Sequence, residues 1–204
     1  MNISYNKIGA AAKLLFKKNF GLLVSLNLES LFMVETDFND NLITEVLCKE
    51  LANGRFKNIR DLDLSHNLIK NSYQNLTRSL QSNCELLGNL SIASCKFFES
   101  KPPVSFALPK SFFDPISQTN TSFIYLKRLD LSSSISGDEQ VAQLASSSAF
   151  KFLEFLKLKN CEIGNAGFTS LVSSKYLKRV KVLILSKNNI NTLIFPSEKQ
   201  FSKI

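Results

Sequence analysis

Few side chains in this sequence can do acid–base, nucleophilic or metal chemistry. The 204 residues contain one histidine, His66, and four cysteines, Cys48, Cys84, Cys95 and Cys161. His66 follows Asp61 and Asp63, and a histidine beside carboxylates is the arrangement of a general base. No serine or cysteine stands in a readable relation to it as a nucleophile. There is no G-x-x-x-x-G-K-[ST], no G-x-G-x-x-G and no H-E-x-x-H. The cysteines form no C-x-x-C pair and lack zinc-ligand spacing. The expectation is a protein without catalytic residues, metal or cofactor, and so not an enzyme.

Composition narrows the class. Hydrophobic residues are 44% of the chain, enough for a packed core and too many for a disordered one. No run approaches the roughly 18 apolar residues of a transmembrane helix. Met1 is followed by no apolar segment of a signal peptide. Four cysteines would also fit two disulfides, but the positions assigned below to Cys48, Cys95 and Cys161 make buried, unpaired thiols of these three, which belong in a reducing compartment. A cytoplasmic or otherwise intracellular location is therefore expected. The net charge of +8 is unevenly placed. Residues 1–150 carry 15 basic and 14 acidic side chains, whereas 151–204 carry 10 basic and 3 acidic.

The elements that would position any site come from internal repetition. The segments 153–163 (LEFLKLKNCEI) and 180–190 (VKVLILSKNNI) share the frame L/V-x-x-L-x-L-x-x-N/C-x-I. The frame recurs at 59–69 (IRDLDLSHNLI), 87–97 (LGNLSIASCKF) and 126–136 (LKRLDLSSSIS), and more loosely at 23–33 (LVSLNLESLFM). The opening MNISYNKI fits the tail of a further copy. Its central apolar position falls at Met1, Leu26, Leu62, Leu90, Leu129, Leu156 and Leu183, with spacings of 25, 36, 28, 39, 27 and 27. Alternation within L-x-L sends Leu62 and Leu64 to one side of a strand and Asp63 to the other. Apolar residues at helical spacing follow: Tyr73, Leu76 and Leu80 in one repeat, and Phe168, Leu171 and Val172 in another, with Leu177 beyond.

On these residues the chain resembles a leucine-rich repeat protein over nearly its whole length. The period near 28 and the phrase IGNAGFTSL at 163–171 resemble the ribonuclease-inhibitor-like subclass. The resemblance implies an α/β solenoid: a horseshoe of about six to seven repeats with a parallel concave sheet and convex helices. It also implies a role for the residue at the turn after each strand, here Asn6, Asn67, Cys95, Ser134, Cys161 or Asn188. In the family an asparagine there binds neighbouring backbone groups, and a cysteine can fill the same buried slot. Cys48 is expected in the core of an amphipathic run. Cys84 has no assigned place.

One domain, 1–204, is expected, with insertions near 34–41 and 100–122. The second holds four of the five prolines, with Phe106, Phe112 and Phe113. It reads either as a binding loop or as an irregular repeat whose phenylalanines fill the core. Neither end carries a readable cap, and end repeats expose core and an unpaired strand. The expectation is a fragment of a longer array, or ends covered by a partner or by self-association.

Function is then expected on the outward strand positions. The candidate partner-binding residues are Asp61, Asp63, His66, Arg128, Asp130, Phe155, Lys157, Lys159, Lys181, Ile184 and Lys187. Apolar Phe155 and Ile184 among lysines make an anchor with a charged rim. The expected function is a non-catalytic scaffold for a partner protein carrying an acidic patch. The alternative is nucleic acid or another anionic surface bound by the basic C-terminal repeats. Surface aromatics interleaved for base stacking are not apparent in the sequence, which disfavours nucleic acid.

Overall fold

A computed structural model of the chain describes residues 2, 24–27, 47, 49–69, 73–97, 113 and 123–192. In chain order the elements are β1 (Ser25–Asn27), β2 (Asp61–Asp63), β3 (Leu68–Ile69), α1 (Tyr73–Asn83), β4 (Asn89–Ser91) and β5 (Lys96–Phe97). There follow β6 (Arg128–Asp130), α2 (Gly137–Ser146), a 3-10 turn (Ser148–Phe150), β7 (Phe155–Lys157), α3 (Asn165–Val172) and β8 (Val182–Ile184).

The repeat frame becomes one parallel sheet of six strands, ordered β1-β2-β4-β6-β7-β8. Its register is the one the leucine marker sets: Leu26, Leu62, Leu90, Leu129, Leu156 and Leu183 are partners in turn. A second sheet pairs β3 with β5, also parallel. Each strand is short because only its middle residue must be buried. Leu62, Leu90, Leu129 and Leu156 are buried while the residues on either side of each are not. Burying each such leucine is worth about 1.5–3 kcal/mol. Leu64, Ile92, Leu131 and Leu158, two residues on, are buried as well.

The inner faces of strands and helices share one apolar core. From α2 it takes Val141, Leu144 and Ala145, and from α3 it takes Leu171; Phe168 and Val172 of α3 are buried as well. Helix α3 thus buries the face that its sequence spacing predicts. At the last described strand, Leu183 and Leu185 are only half-buried.

Two turns recur and hold the repeats in step. Before each strand, an amide bonds the carbonyl three residues back: Ile59 to Phe56, Leu87 to Cys84, Leu126 to Phe123, Leu153 to Phe150, and Val180 to Leu177, all at 3.0–3.1 Å. The residue that opens each of these turns is buried, so Cys84 has the slot that phenylalanine or leucine fills elsewhere. After each strand the chain turns through a left-handed residue, namely His66, Ser94, Ser133, Asn160 and Lys187, with φ between 54° and 61°.

The residue that follows each of these is the slot the resemblance assigned to asparagine, and its role appears in the bonds. Asn188 Nδ2 donates to the Leu158 and Leu185 carbonyls, and its Oδ1 accepts the Cys161 and Ile163 amides. Asn67 Nδ2 donates to the Leu64 and Ser65 carbonyls. Cys95 reaches the Leu64 carbonyl and Cys161 the Leu131 carbonyl with their thiols. Ser134 donates to the Ile92 carbonyl and accepts the Cys95 amide.

The 34–41 insertion and Cys48 lie outside the described residues. Of 100–122 only Phe113 is described. It is buried in the core, and its carbonyl accepts the Ser147 hydroxyl. That is the core-filling role for this phenylalanine.

Candidate functional site

The parallel register lines up the outward strand positions as two rows. The first runs Asp61, Asn89, Arg128, Phe155, Val182, and the second Asp63, Ser91, Asp130, Lys157, Ile184. Neighbouring members are one strand apart, about 4.8 Å. A groove of about 380 Å³ runs over β2, β4, β6 and β7 between these rows, with Leu62, Leu90 and Leu129 at its floor.

Six of the expected binding residues line this groove: Asp61, Asp63, Arg128, Asp130, Phe155 and Lys157. Asn89 and Ser91 complete it. The other five lie elsewhere. Lys159 is two residues beyond Lys157, half-buried. Ile184 stands on β8, past the groove. Lys181 precedes β8 and bonds Glu154 at 2.6 Å. His66 and Lys187 are the exposed left-handed residues of the turns. Ser65 and Ser132, two residues after Asp63 and Asp130, are buried. Their hydroxyls tie adjacent strands, Ser65 to the Ser91 hydroxyl at 2.6 Å and Ser132 by accepting the Lys159 amide at 3.3 Å, while Ser132 also donates to the Asp130 carboxylate of its own segment at 2.6 Å.

The groove is electrically divided. At the β2 end, Asp61 accepts the Asn89 amide and Asp63 accepts the Ser65 backbone amide at 2.9 Å, and among the described residues neither meets a cation within 4 Å. On β6, Asp130 is fully engaged. Its Oδ1 takes the Ser132 amide and hydroxyl, and its Oδ2 takes Lys157 Nζ at 2.8 Å. At the β6–β7 end the Arg128 guanidinium lies over the Phe155 ring, 4.0 Å from its centroid. Such a contact at an exposed site is worth about 0.5–1 kcal/mol, and it restrains the guanidinium beside the ring. Arg128 has no carboxylate within 4 Å among the described residues.

The Arg128–Phe155 stack joins residues 27 apart, and the strand frame is the sequence signal for it. Nothing in the groove resembles a nucleophile and its base. No group of three or more His, Cys, Asp or Glu side chains among the described residues is arranged to hold a metal. No described helix is long and apolar enough to cross a membrane.

Glu154 sits between two lysines at the rim, with Lys181 at 2.6 Å and Lys127 at 3.3 Å. The Lys181 hydrogen bond, and then the Lys127 one, hold its carboxyl below the usual range. The three described thiols are inert by contrast. Burial pushes Cys84 and Cys95 up to about 12 and raises Cys161 as well. All three are free and buried.

In-register L-x-L strands, helical crossovers and a ladder of turn side chains define an α/β leucine-rich repeat solenoid. No family model and no curated protein matches the chain. Among solved structures it is similar to an internalin (inlF) from Listeria monocytogenes, at 18% identity and a TM-score of 0.47, over 91% of this chain and 47% of that one. The chain spans about half the length of that internalin.

Proposed function

We propose that this protein is a non-catalytic scaffold that holds a partner protein against its strand face, the concave side of a horseshoe of six to seven repeats with convex helices. The observation that carries the reading is the Arg128 guanidinium, placed over Phe155 at the groove, 4.0 Å from the ring centroid, with no carboxylate within 4 Å among the described residues. A guanidinium so fixed loses little freedom on binding and suits a carboxylate of the partner. Asp61 and Asp63 at the opposite end suit a basic side chain. The partner is therefore dipolar along the groove, with acidic groups toward the basic later repeats.

The repeat details agree with the ribonuclease-inhibitor-like subclass, through the 27–28-residue period and the IGNAGFTSL phrase. We take residues 1–204 as one domain. Three free buried thiols favour a reducing, intracellular setting.

The test is affinity capture with the whole chain, compared with the Arg128→Glu, Phe155→Ala double variant. A partner that binds the native chain is expected to bind the variant at least about tenfold more weakly, as for a buried aromatic–arginine hot spot. Circular dichroism should be unchanged, because both side chains face outward. Equal capture by the folded variant would remove the groove as the binding site.

A further inference from the structure

A second surface lies along the edge where each repeat closes onto its strand. The two residues inside each pre-strand turn occupy equivalent places in every repeat, because the same amide-to-carbonyl bond closes each turn. In the last three described turns these pairs are Ile124–Tyr125, Lys151–Phe152 and Lys178–Arg179. Stacking of the repeats makes Tyr125, Phe152 and Arg179 one row of planar groups. Lys151 and Lys178 fall in the row beside it. The expectation that surface aromatics are not interleaved with the basic residues is thus corrected. Arg179 and Phe152, 27 residues apart in sequence, meet on this edge beside Lys151.

The contacts show how the edge is held. Arg179 lies 4.9 Å from the centroid of the Phe152 ring, and Lys151 lies 5.1 Å from it. Lys175 is placed likewise over Tyr176, at 4.9 Å. Tyr125 is 51% exposed, one of the most exposed large hydrophobic side chains described. Among the described residues none of Lys151, Lys175, Lys178 and Arg179 has a carboxylate within 4 Å, and neighbouring Glu154 is already shared by Lys127 and Lys181.

We infer that this edge binds single-stranded nucleic acid without reading its sequence. Bases stack on Tyr125 and on the outer face of the Arg179 guanidinium, and phosphates run past Lys151, Lys175 and Lys178. Planar groups beside a line of cations are what a single strand requires. A duplex keeps its bases stacked, and no helix or ribbon stands out here to enter a groove. A lipid surface would draw apolar tips into the bilayer, but the Phe152 and Tyr176 rings are half-buried and have cations over them. An acidic protein segment would use the cations and leave Tyr125 without a partner.

The probe is a fluorescent oligouridylate of roughly 12 nucleotides, followed by anisotropy. Binding is expected at about 50 mM salt, with log K falling on log salt at a slope of about −2 to −3 for three to four engaged cations. Lys178→Glu with Arg179→Glu should lose binding. Tyr125→Ala should weaken it by about 5- to 100-fold without changing the salt slope, which reports stacking separately from charge. Phe155→Ala in the groove should leave it intact, so that this proposal and the scaffold reading fail independently. The inference is overturned if the oligonucleotide does not bind at low salt. It is equally overturned if Tyr125→Ala binds like the native chain, if polyglutamate competes as well as the RNA, or if phosphatidylserine vesicles bind and the RNA does not.

Discussion

Asn67, Cys95, Ser134, Cys161 and Asn188 hold one structural position with three chemistries. The asparagines bond up to four backbone groups, the serine bonds two, and the thiols reach carbonyls as weak donors. Asn188→Ala would strip two carbonyls and two amides of their partner, each of which costs about 1–3 kcal/mol if left unmet in the interior. Partial exposure of Asn188 lets water recover some of this, so a loss of about 2–3 kcal/mol is expected in urea unfolding. The thiols give a second prediction. Cys84 and Cys95 ionise near 12 in the fold against 9.0 as free groups, because burial disfavours the thiolate. Below pH 9 both states are protonated and the difference has no effect. Above it the unfolded chain loses its protons first, so stability falls through the window from 9 to 12, by about 1.4 kcal/mol per pH unit per thiol. Urea midpoints at pH 8 and pH 10 measure this, and the double variant Cys84→Ala, Cys95→Ala should flatten the dependence. An unchanged slope in that variant would place its origin elsewhere.

Between elements, α2 packs directly against α3. A β-carbon at Gly167 would stand 2.5 Å from Asp138 Oδ1, 2.9 Å from Ile163 Cγ2 and 3.2 Å from Asp138 Cα. Asp138 cannot simply swing away, because its Oδ1 accepts the Gly164 amide at 2.7 Å at the start of α3. Alanine in a helix is worth about 1 kcal/mol over glycine, but overpacking of this kind costs about 1–3 kcal/mol. Gly167→Ala is therefore expected to lower the thermal midpoint despite its better helix propensity, and a rise would contradict the packing. The strand elements were readable in the sequence, because L-x-L fixes both the buried face and the partner of each residue. The marker Leu62–Leu90–Leu129–Leu156 is the observed register itself. The pre-strand turns were not, since phenylalanine, cysteine and leucine alternate in one slot and share only their burial. The rows of the groove followed from the register. Which side chains touch within them did not: Arg128 stacks on Phe155 while Lys157 is drawn to Asp130, a choice made by side-chain reach rather than by spacing.

The molecule as a whole is graded in charge along its axis. Its early strand face carries Asp61 and Asp63, and its later edge carries Lys175, Lys178 and Arg179. The gradient gives the two surfaces different salt responses, steep on the edge and shallow at the groove, where an aromatic anchor contributes. The repeated backbone bonds also make the chain cuttable at period. The amides of residues 154 and 155 bond the Lys127 carbonyl just as those of residues 181 and 182 bond the Glu154 carbonyl. Deleting residues 154–180 would join Leu153 to Lys181 with this pattern kept. The shortened chain should still unfold in one transition, at lower stability, because repeat interfaces add up pairwise; a broad, non-cooperative melt by circular dichroism would count against it. The deletion would bring Val182 opposite Arg128 in place of Phe155, and Ile184 opposite Asp130 in place of Lys157. Architecture would survive such an edit while recognition would not. A lineage built this way can gain or drop a whole period and change what it binds in one genetic event, with little cost to folding.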